Sequence, residues 1–245
     1  MSPAAKPSHT ATASSNLAIL SSGTALLATS GIFWTFPAID LTVSGWFYRS
    51  GDGFTLSNDP ALRLLRASSS WVTIGVVLIA LFCILRAAVT GPLAWSRIRV
   101  PVWLLAGLAL GPGLLVNGLL KPHWGRPRPL QIDVFGGDAT HQKVWVVSDW
   151  CARNCSFVSG EASSAAWLVA AALMTPRRIR PAATLIALVY AGAVSLNRIA
   201  FGGHFLSDVV LAWLICGLTF GILHWLVMGK GSFGSPRWTR APSAP

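Results

Sequence analysis

Residues 181–228 read PAATLIALVYAGAVSLNRIAFGGHFLSDVVLAWLICGLTFGILHWLVM, two apolar stretches joined by a polar turn. His204 and Asp208 stand four residues apart where the second stretch begins, so on a helix their side chains share one face. A carboxylate inside an apolar helix is costly in lipid and needs a partner, for which His204 is suitably placed. The glycine pair at 202–203 permits a tight hairpin that would bring Arg198 close to His204. The segment therefore predicts two membrane helices with a polar site where they meet.

The composition also indicates a membrane protein. The chain of 245 residues is 53% hydrophobic and only 11% charged, which is too apolar for an ordinary soluble domain. A membrane-spanning helix needs about 20 apolar residues. The stretches that meet this need are Leu17–Ala38, Trp71–Val89, Val100–Leu120, Ser159–Thr175, Pro181–Ala200 and Phe205–Met228. We therefore expect an all-α, polytopic bundle of six transmembrane helices over residues 17–230, between a polar tail (1–16) and a flexible tail (231–245).

The formal charge of +11 raises the question of nucleic acid binding, but the basic residues do not form a soluble basic face. They lie at the predicted helix ends, where they fit topology control, lipid headgroups or an anionic substrate. One side of the predicted bundle carries a basic set without acidic neighbours, and the positive-inside rule makes it the cytoplasmic side, with both termini. The set consists of Lys6, Arg97, Arg99, Arg177, Arg178, Arg180, Lys230, Arg237 and Arg240.

The loop between the third and fourth predicted helices, Lys121–Val158, is basic as well and is predicted to be extracytoplasmic. Its charge fits a different purpose, the binding of an oxyanion. Ser159 and Gly160 stand where the fourth helix begins, and a helix start offers free N–H groups and a positive dipole end to a phosphate. Three cationic side chains are expected around the same phosphate: Lys121, Arg128 and Arg198. An arginine can bind two phosphate oxygens at once.

Glu161 is the only glutamate of the chain and follows directly after this helix start. A single glutamate two residues beyond a phosphate-binding serine, at a membrane surface, is predicted to be a functional acid. It would protonate the leaving alcohol of a phosphate ester. Alternatively, it would recognise an amine or a sugar hydroxyl of the substrate.

Three motifs occur in order along the chain: K-x6-R-P from Lys121, S-G from Ser159 and R-x5-H-x3-D from Arg198. In this order, and with six predicted spans, they closely resemble the type 2 phosphatidic acid phosphatase superfamily, whose members are related to the vanadium haloperoxidases. The resemblance covers roughly Lys121 to Asp208. Within the superfamily, S-G-E after a Cys-x-x-x-Cys-Ser-Phe run is most similar to the lipid A phosphatases. The resemblance implies a membrane enzyme that needs neither a metal nor another cofactor.

The resemblance further implies a phosphohistidine mechanism. His204 would attack phosphorus, Asp208 would orient and polarise His204, and water would then hydrolyse the intermediate. The residues implied to hold the phosphoryl oxygens are Lys121, Arg128, Ser159, Gly160 and Arg198. The chain departs from the family pattern at Val158, where proline is usual, and at Asn197, where serine is usual. The third departure, Glu161 in place of a histidine acid, concerns the leaving-group step.

The sequence leaves the roles of two further pairs of residues undecided. Arg126 and Trp124 fall inside the first motif and are candidate substrate contacts. Cys151 and Cys155 lie in a polar loop at a spacing that one disulfide could close, although two free thiols fit the spacing equally well.

The leading function from the sequence is hydrolysis of a phosphomonoester of a membrane lipid, lipid A first, at the periplasmic face of a bacterial inner membrane. Alternative substrates are undecaprenyl diphosphate, phosphatidylglycerol phosphate and phosphatidate. Two other classes of protein fit the same residues. One is a lipid phosphotransferase, and the other is a non-catalytic lipid-binding or transport protein that has lost turnover through Glu161.

Overall fold

The computed structural model describes residues 9–228, and the regular elements in that range are helical. The α-helices are α1 (His9–Thr35), α2 (Ala38–Gly45), α3 (Pro60–Val89), α4 (Trp95–Leu108), α5 (Lys121–Trp124), α6 (Gly160–Leu173), α7 (Arg180–Ala200) and α8 (Leu206–Met228). A π-helical segment, Ala109–Leu120, joins α4 to α5 without a break, and single 3-10 turns cover Thr55–Asn58, Pro129–Gln131 and Asp133–Phe135. The all-α fold predicted from the sequence is confirmed.

Four of the described helices are long and apolar enough to cross a membrane. They cover Pro60–Val89, Trp95–Gln131, Arg180–Ala200 and Leu206–Val227. A fifth span is counted if Ile19–Thr35 and Ala38–Gly45, which meet at an angle of 82°, cross as one broken unit. The predicted fourth span became α6, whose 14 residues measure about 21 Å against a hydrocarbon layer of about 30 Å. The count of six spans is therefore not confirmed.

Helix α3 begins at Pro60 rather than at the predicted Trp71. Its start is defined by a cap, because the Asp59 side chain accepts a hydrogen bond from the Leu62 amide at 3.0 Å and proline occupies the first turn. The polar first turns extend the helix beyond its apolar part and carry Arg66, which the sequence interpretation left in a connection.

Helix α6 lies at the centre of the bundle and packs against α7 and α8. Two indole hydrogen bonds join the neighbouring helices. The Trp167 Nε1–H on α6 donates to the Leu104 carbonyl on α4 at 2.8 Å, and the Trp103 Nε1–H on α4 donates to the Phe220 carbonyl on α8 at 3.2 Å. Gly111 lets α8 approach closely, since an added methyl group would lie 3.1 Å from the Phe220 ring. This packing fixes the start of α6, where the second motif lies.

The outer faces of the bundle are apolar and exposed, as the large side chains Leu78, Leu85 and Ile186 illustrate. Such faces require lipid, and we conclude that the protein is a multi-pass membrane protein. Arg97 and Arg99 begin α4, at the end of the bundle opposite the start of α6.

The predictions about the basic residues and the two tails fall only partly within the residues that the structure describes. Arg177 and Arg178 lie between α6 and α7, and Arg180 begins α7. Four other basic residues lie outside the described residues, namely Lys6, Lys230, Arg237 and Arg240. The predicted polar tail is partly helical, because α1 begins at His9, and the predicted flexible tail (231–245) also lies outside the described residues. The side of the membrane on which each end lies stays a prediction.

Candidate active site

The three predicted motifs meet at one end of the bundle. Ser159 caps α6, its Oγ accepting from the Ala162 amide at 3.3 Å, and its own amide donates to the Asp208 carbonyl at 3.1 Å. Lys121 lies beside this helix start, since a methyl group added to Gly160 would lie 3.3 Å from its Nζ. The start of α6 and the ammonium group thus face the same space.

His204 is buried between α7 and α8, and its two ring nitrogens have different surroundings. Nδ1 lies 2.7 Å from the Ser156 carbonyl oxygen, which can only accept, so Nδ1 carries the hydrogen and Nε2 carries the free lone pair. Burial lowers the pKa of His204 to about 4; nearby Arg198 and Lys121 act in the same direction and Asp208 opposes them. The ring is therefore neutral at physiological pH, as a nucleophile must be.

Asp208 is linked to this ring through Ser156. Its Oδ2 lies 3.8 Å from His204 Nδ1, beyond hydrogen-bond length, and accepts instead from the Ser156 hydroxyl at 2.5 Å and the Phe205 amide at 2.9 Å. Ser156 therefore bonds the carboxylate with its side chain and the imidazole with its carbonyl. The predicted pair of His204 and Asp208 is present, but Ser156 stands between them.

Arg198 places its guanidinium against the turn that carries His204. A methyl group added to Gly203 would lie 2.5 Å from Arg198 Nη2, so glycine makes room for the side chain. Nε pairs with Glu161 Oε2, while Nη1 is buried and has no hydrogen-bond partner within residues 9–228. A buried donor without a partner is costly, and an oxyanion is the partner that a guanidinium prefers.

The other two predicted cations are held by one residue, Asn154. Its side-chain oxygen accepts from Lys121 Nζ at 3.1 Å, and its carbonyl accepts from Arg128 Nη2 at 2.8 Å. Asn154 lies inside the short loop closed by a disulfide between Cys151 and Cys155, whose Cα atoms are 5.6 Å apart. The bridge, one of two options in the sequence, fixes the turn that positions both cations.

A family profile described as the PAP2 superfamily matches residues 101–232 of this chain. The chain belongs to the PAP2 superfamily. The resemblance predicted from the three motifs is confirmed. The matched range contains all of those motifs and leaves α1, α2 and α3 outside it.

Similar curated proteins cover most of this PAP2 chain. A protein named lipid A 4′-phosphatase from Francisella tularensis subsp. novicida (strain U112) is 35% identical over 80% of this chain and 87% of its own length. A protein of the same name from Rhizobium leguminosarum is 35% identical over 81% of this chain and 90% of its own length. Among solved structures, a transmembrane PAP2 type phosphatidylglycerolphosphate phosphatase from Bacillus subtilis shares the fold with a TM-score of 0.55, at 18% identity over 85% of this chain and 94% of its own.

Glu161, which departs from the usual PAP2 pattern, is paired with two arginines. Its Oε1 lies 3.0 Å from Arg66 Nε on α3, and its Oε2 faces Arg198 on α7. Arg66 is 48% exposed, so its guanidinium forms part of the rim of the site. The sequence interpretation missed Arg66 because it placed that residue in a connection before the second span.

Arg126 does not lie where a substrate contact was expected. Its side chain is 0% exposed, with the guanidinium 4.5 Å from the centre of the Phe205 ring. All three of its nitrogens donate within the protein, the acceptors being Gln142 O, Ser207 Oγ, Asp208 Oδ1 and Asp40 Oδ2. The prediction of a substrate contact is corrected on this ground: Arg126 lies beneath the site as a structural cation.

Asp40 is the second residue that the sequence interpretation missed. It is the first acidic residue of the chain, directly after the first apolar stretch, and such a position requires a partner. That signal was available, but nothing in the sequence identified Arg126 as the partner.

Trp124 stays a candidate substrate contact. It is half-buried, with its ring 5.8 Å from that of Trp145 and 5.7 Å from that of Phe157. Over the described range, no three His, Cys, Asp or Glu side chains are grouped as metal ligands would be. A reaction without a metal stays a prediction.

Proposed function

We propose that this protein is a membrane lipid phosphatase that removes the 4′-phosphate of lipid A through a phosphohistidine intermediate. The observation that carries the proposal is a neutral imidazole next to an incomplete anion cradle. His204 presents a free Nε2 lone pair, and the buried Arg198 Nη1 has no partner among the described residues. The choice of lipid A rests on the names of two relatives that cover four fifths of the chain.

In the proposed reaction the phosphoryl oxygens bind to the start of α6 and to the surrounding cations, which neutralise their charge. His204 Nε2 forms a bond to phosphorus while the bond from phosphorus to the sugar oxygen breaks. The leaving oxygen takes a proton from Glu161, and the ring, which keeps its Nδ1 hydrogen, becomes a cation facing Asp208. Water then attacks phosphorus and gives a proton back to Glu161, while the bond from Nε2 to phosphorus breaks, which frees inorganic phosphate and restores the neutral ring.

We place this reaction at the periplasmic face of a bacterial inner membrane. The basic residues at the ends of α6, α7 and α4 away from the site mark the cytoplasmic side by the positive-inside rule. The disulfide beside the site supports an oxidising compartment.

A panel of purified lipids tests the proposal. The detergent-solubilised protein is expected to release phosphate from lipid A, with the 4′-position lost in mass-spectrometric fragmentation, and faster than from undecaprenyl diphosphate, phosphatidylglycerol phosphate or phosphatidate. Preference for another lipid contradicts the substrate assignment. Absence of release from every phosphate ester supports the lipid-binding class, and phosphate found on a second lipid supports a phosphotransferase.

For Glu161 we propose the role of the acid that protonates the leaving oxygen. Bound phosphate would engage Arg198 in its place, so the carboxyl group would leave that ion pair and face the leaving oxygen. Glu161→Gln is then expected to lower kcat on lipid A by about a hundredfold. With an aryl phosphate, whose leaving group needs no proton, the loss should stay below about tenfold.

The ratio of these two losses is the measurement, and Arg66→Gln is the matched control. That variant removes the other partner of Glu161 and leaves the acid in place. Equal losses of Glu161→Gln on both substrates would mean that Glu161 only anchors Arg198.

A further inference from the structure

We propose that Asp40 is a positioning residue of the catalytic centre, acting on His204 through Arg126 and Asp208. The inference rests on the proposed phosphohistidine reaction. Asp40 lies on α2, outside the range that the family profile matches, and no motif includes it. Its side chain is 1% exposed, so solvent does not compensate its charge.

Each oxygen of Asp40 has an internal donor. Oδ1 accepts from the Ser207 amide at 2.8 Å, which is one of the free N–H groups at the start of α8. Oδ2 accepts from the Ser207 hydroxyl at 2.5 Å and from Arg126 Nη2 at 2.9 Å. The carboxylate thus fixes both the start of α8 and the guanidinium of Arg126.

Arg126 links the two carboxylates through one rigid group. Its Nη1 donates to Asp208 Oδ1 at 2.6 Å while its Nη2 donates to Asp40. The planar guanidinium therefore sets the rotation of Asp208, whose other oxygen faces His204. A change at Asp40 is transmitted to the imidazole by this route.

The charges of the cluster support a role in the reaction. Two buried carboxylates share one guanidinium here, so the cluster carries one net negative charge when both acids are ionised. When Nε2 bonds to phosphorus and Nδ1 keeps its hydrogen, the ring becomes positive, and the negative cluster stabilises it. Without the Asp40 charge, the pair of Arg126 and Asp208 is neutral and stabilises the ring less.

The same contacts also join α2 to α8, so a purely structural role is the alternative. The two roles differ in what they predict for turnover. A positioning residue changes kcat of the folded enzyme and leaves KM nearly unchanged, whereas a structural residue changes the amount of folded enzyme.

The test is a double-mutant cycle on an aryl phosphate, with the folded fraction measured by thermal unfolding in detergent. Asp40→Asn, which keeps the shape and removes the charge, is expected to lower kcat about tenfold and to leave KM within about twofold. In an Arg126→Gln background the same substitution should lower kcat no further, because the connecting group is absent. The control is Asp52→Asn, at an exposed position of the same N-terminal part.

Ser207→Ala is the milder second variant, since it removes one bridging hydroxyl and keeps all three charges. We expect a severalfold lower kcat with an unchanged folded fraction. The inference is overturned if the kcat losses of Asp40→Asn and Arg126→Gln multiply in the double mutant. It is also overturned if the kcat losses of Asp40→Asn and Ser207→Ala equal their losses of folded protein.

If the wild type turns over and Asp40→Asn has the same kcat, this inference alone fails. If the wild type shows no turnover, the proposed function fails.

Discussion

Replacing His204 with alanine is expected to lower turnover of lipid A by at least about a thousandfold. The Nδ1 contact with the Ser156 carbonyl leaves the Nε2 lone pair for attack, and the proposed phosphohistidine cannot form without this ring. Substrate affinity should change little, because the cations that hold the phosphate belong to other residues. Turnover and phosphate release are measured on the purified protein in detergent.

The intermediate itself provides the second readout. Labelled phosphate should be trapped on the wild-type protein by rapid quenching at alkaline pH and should be absent from the His204→Ala variant. His123→Ala serves as the matched control, since His123 is exposed on α5 and its Nδ1 lies 2.7 Å from the carbonyl oxygen of Leu119. A label that survives in the His204 variant would show that another residue is the nucleophile.

The sequence could identify the part of the site that lies within short segments. Arg198, His204 and Asp208 occupy one helical hairpin, so their spacing alone brings them together. The same reasoning could not reveal that the carbonyl of Ser156, on a different segment, accepts a hydrogen bond from His204 Nδ1. A carbonyl partner depends on how the loop before α6 folds, and no side-chain pattern encodes it.

Asp40 and Arg66 show where inference from one sequence ends. Each pairs with a residue far along the chain, Asp40 with Arg126 and Arg66 with Glu161. Helical periodicity relates neighbours on one helix and carries no information about which helices pack together. These pairs can therefore be recognised only from the way α2 and α3 pack against the rest of the bundle.

The count of six spans is not confirmed, because hydropathy does not measure helix length. The stretch Ser159–Thr175 is apolar enough, yet the helix within it covers only Gly160–Leu173. It starts where Ser159 caps it, at the depth of the active site, and is surrounded by other helices rather than lipid. In the first stretch α1 ends at Thr35 and Pro37 caps α2, and the two helices meet at an angle of 82°.

Replacing Arg198 with glutamine is expected to lower kcat/KM by roughly a thousandfold, the second largest effect. The substitution removes a charge-assisted donor that is buried and has no protein partner at Nη1 among the described residues. Arg198→Lys keeps the charge and loses the planar fork, so a loss of about a hundredfold is expected. Inorganic phosphate, as a competing product, should inhibit both variants less than the wild type.

Gly203→Ala tests the same interaction without touching the arginine. The added methyl group would lie 2.5 Å from Arg198 Nη2, so the guanidinium must move and kcat/KM should fall by about tenfold or more. Gly217→Ala on α8 is the control, because nothing lies within 4 Å of its added methyl group. If Arg198→Lys and Gly203→Ala both keep wild-type kcat/KM and phosphate inhibition, the guanidinium does not hold the phosphate. The unpaired Nη1 would then need another explanation, and the cradle would consist of the α6 start, Lys121 and Arg128.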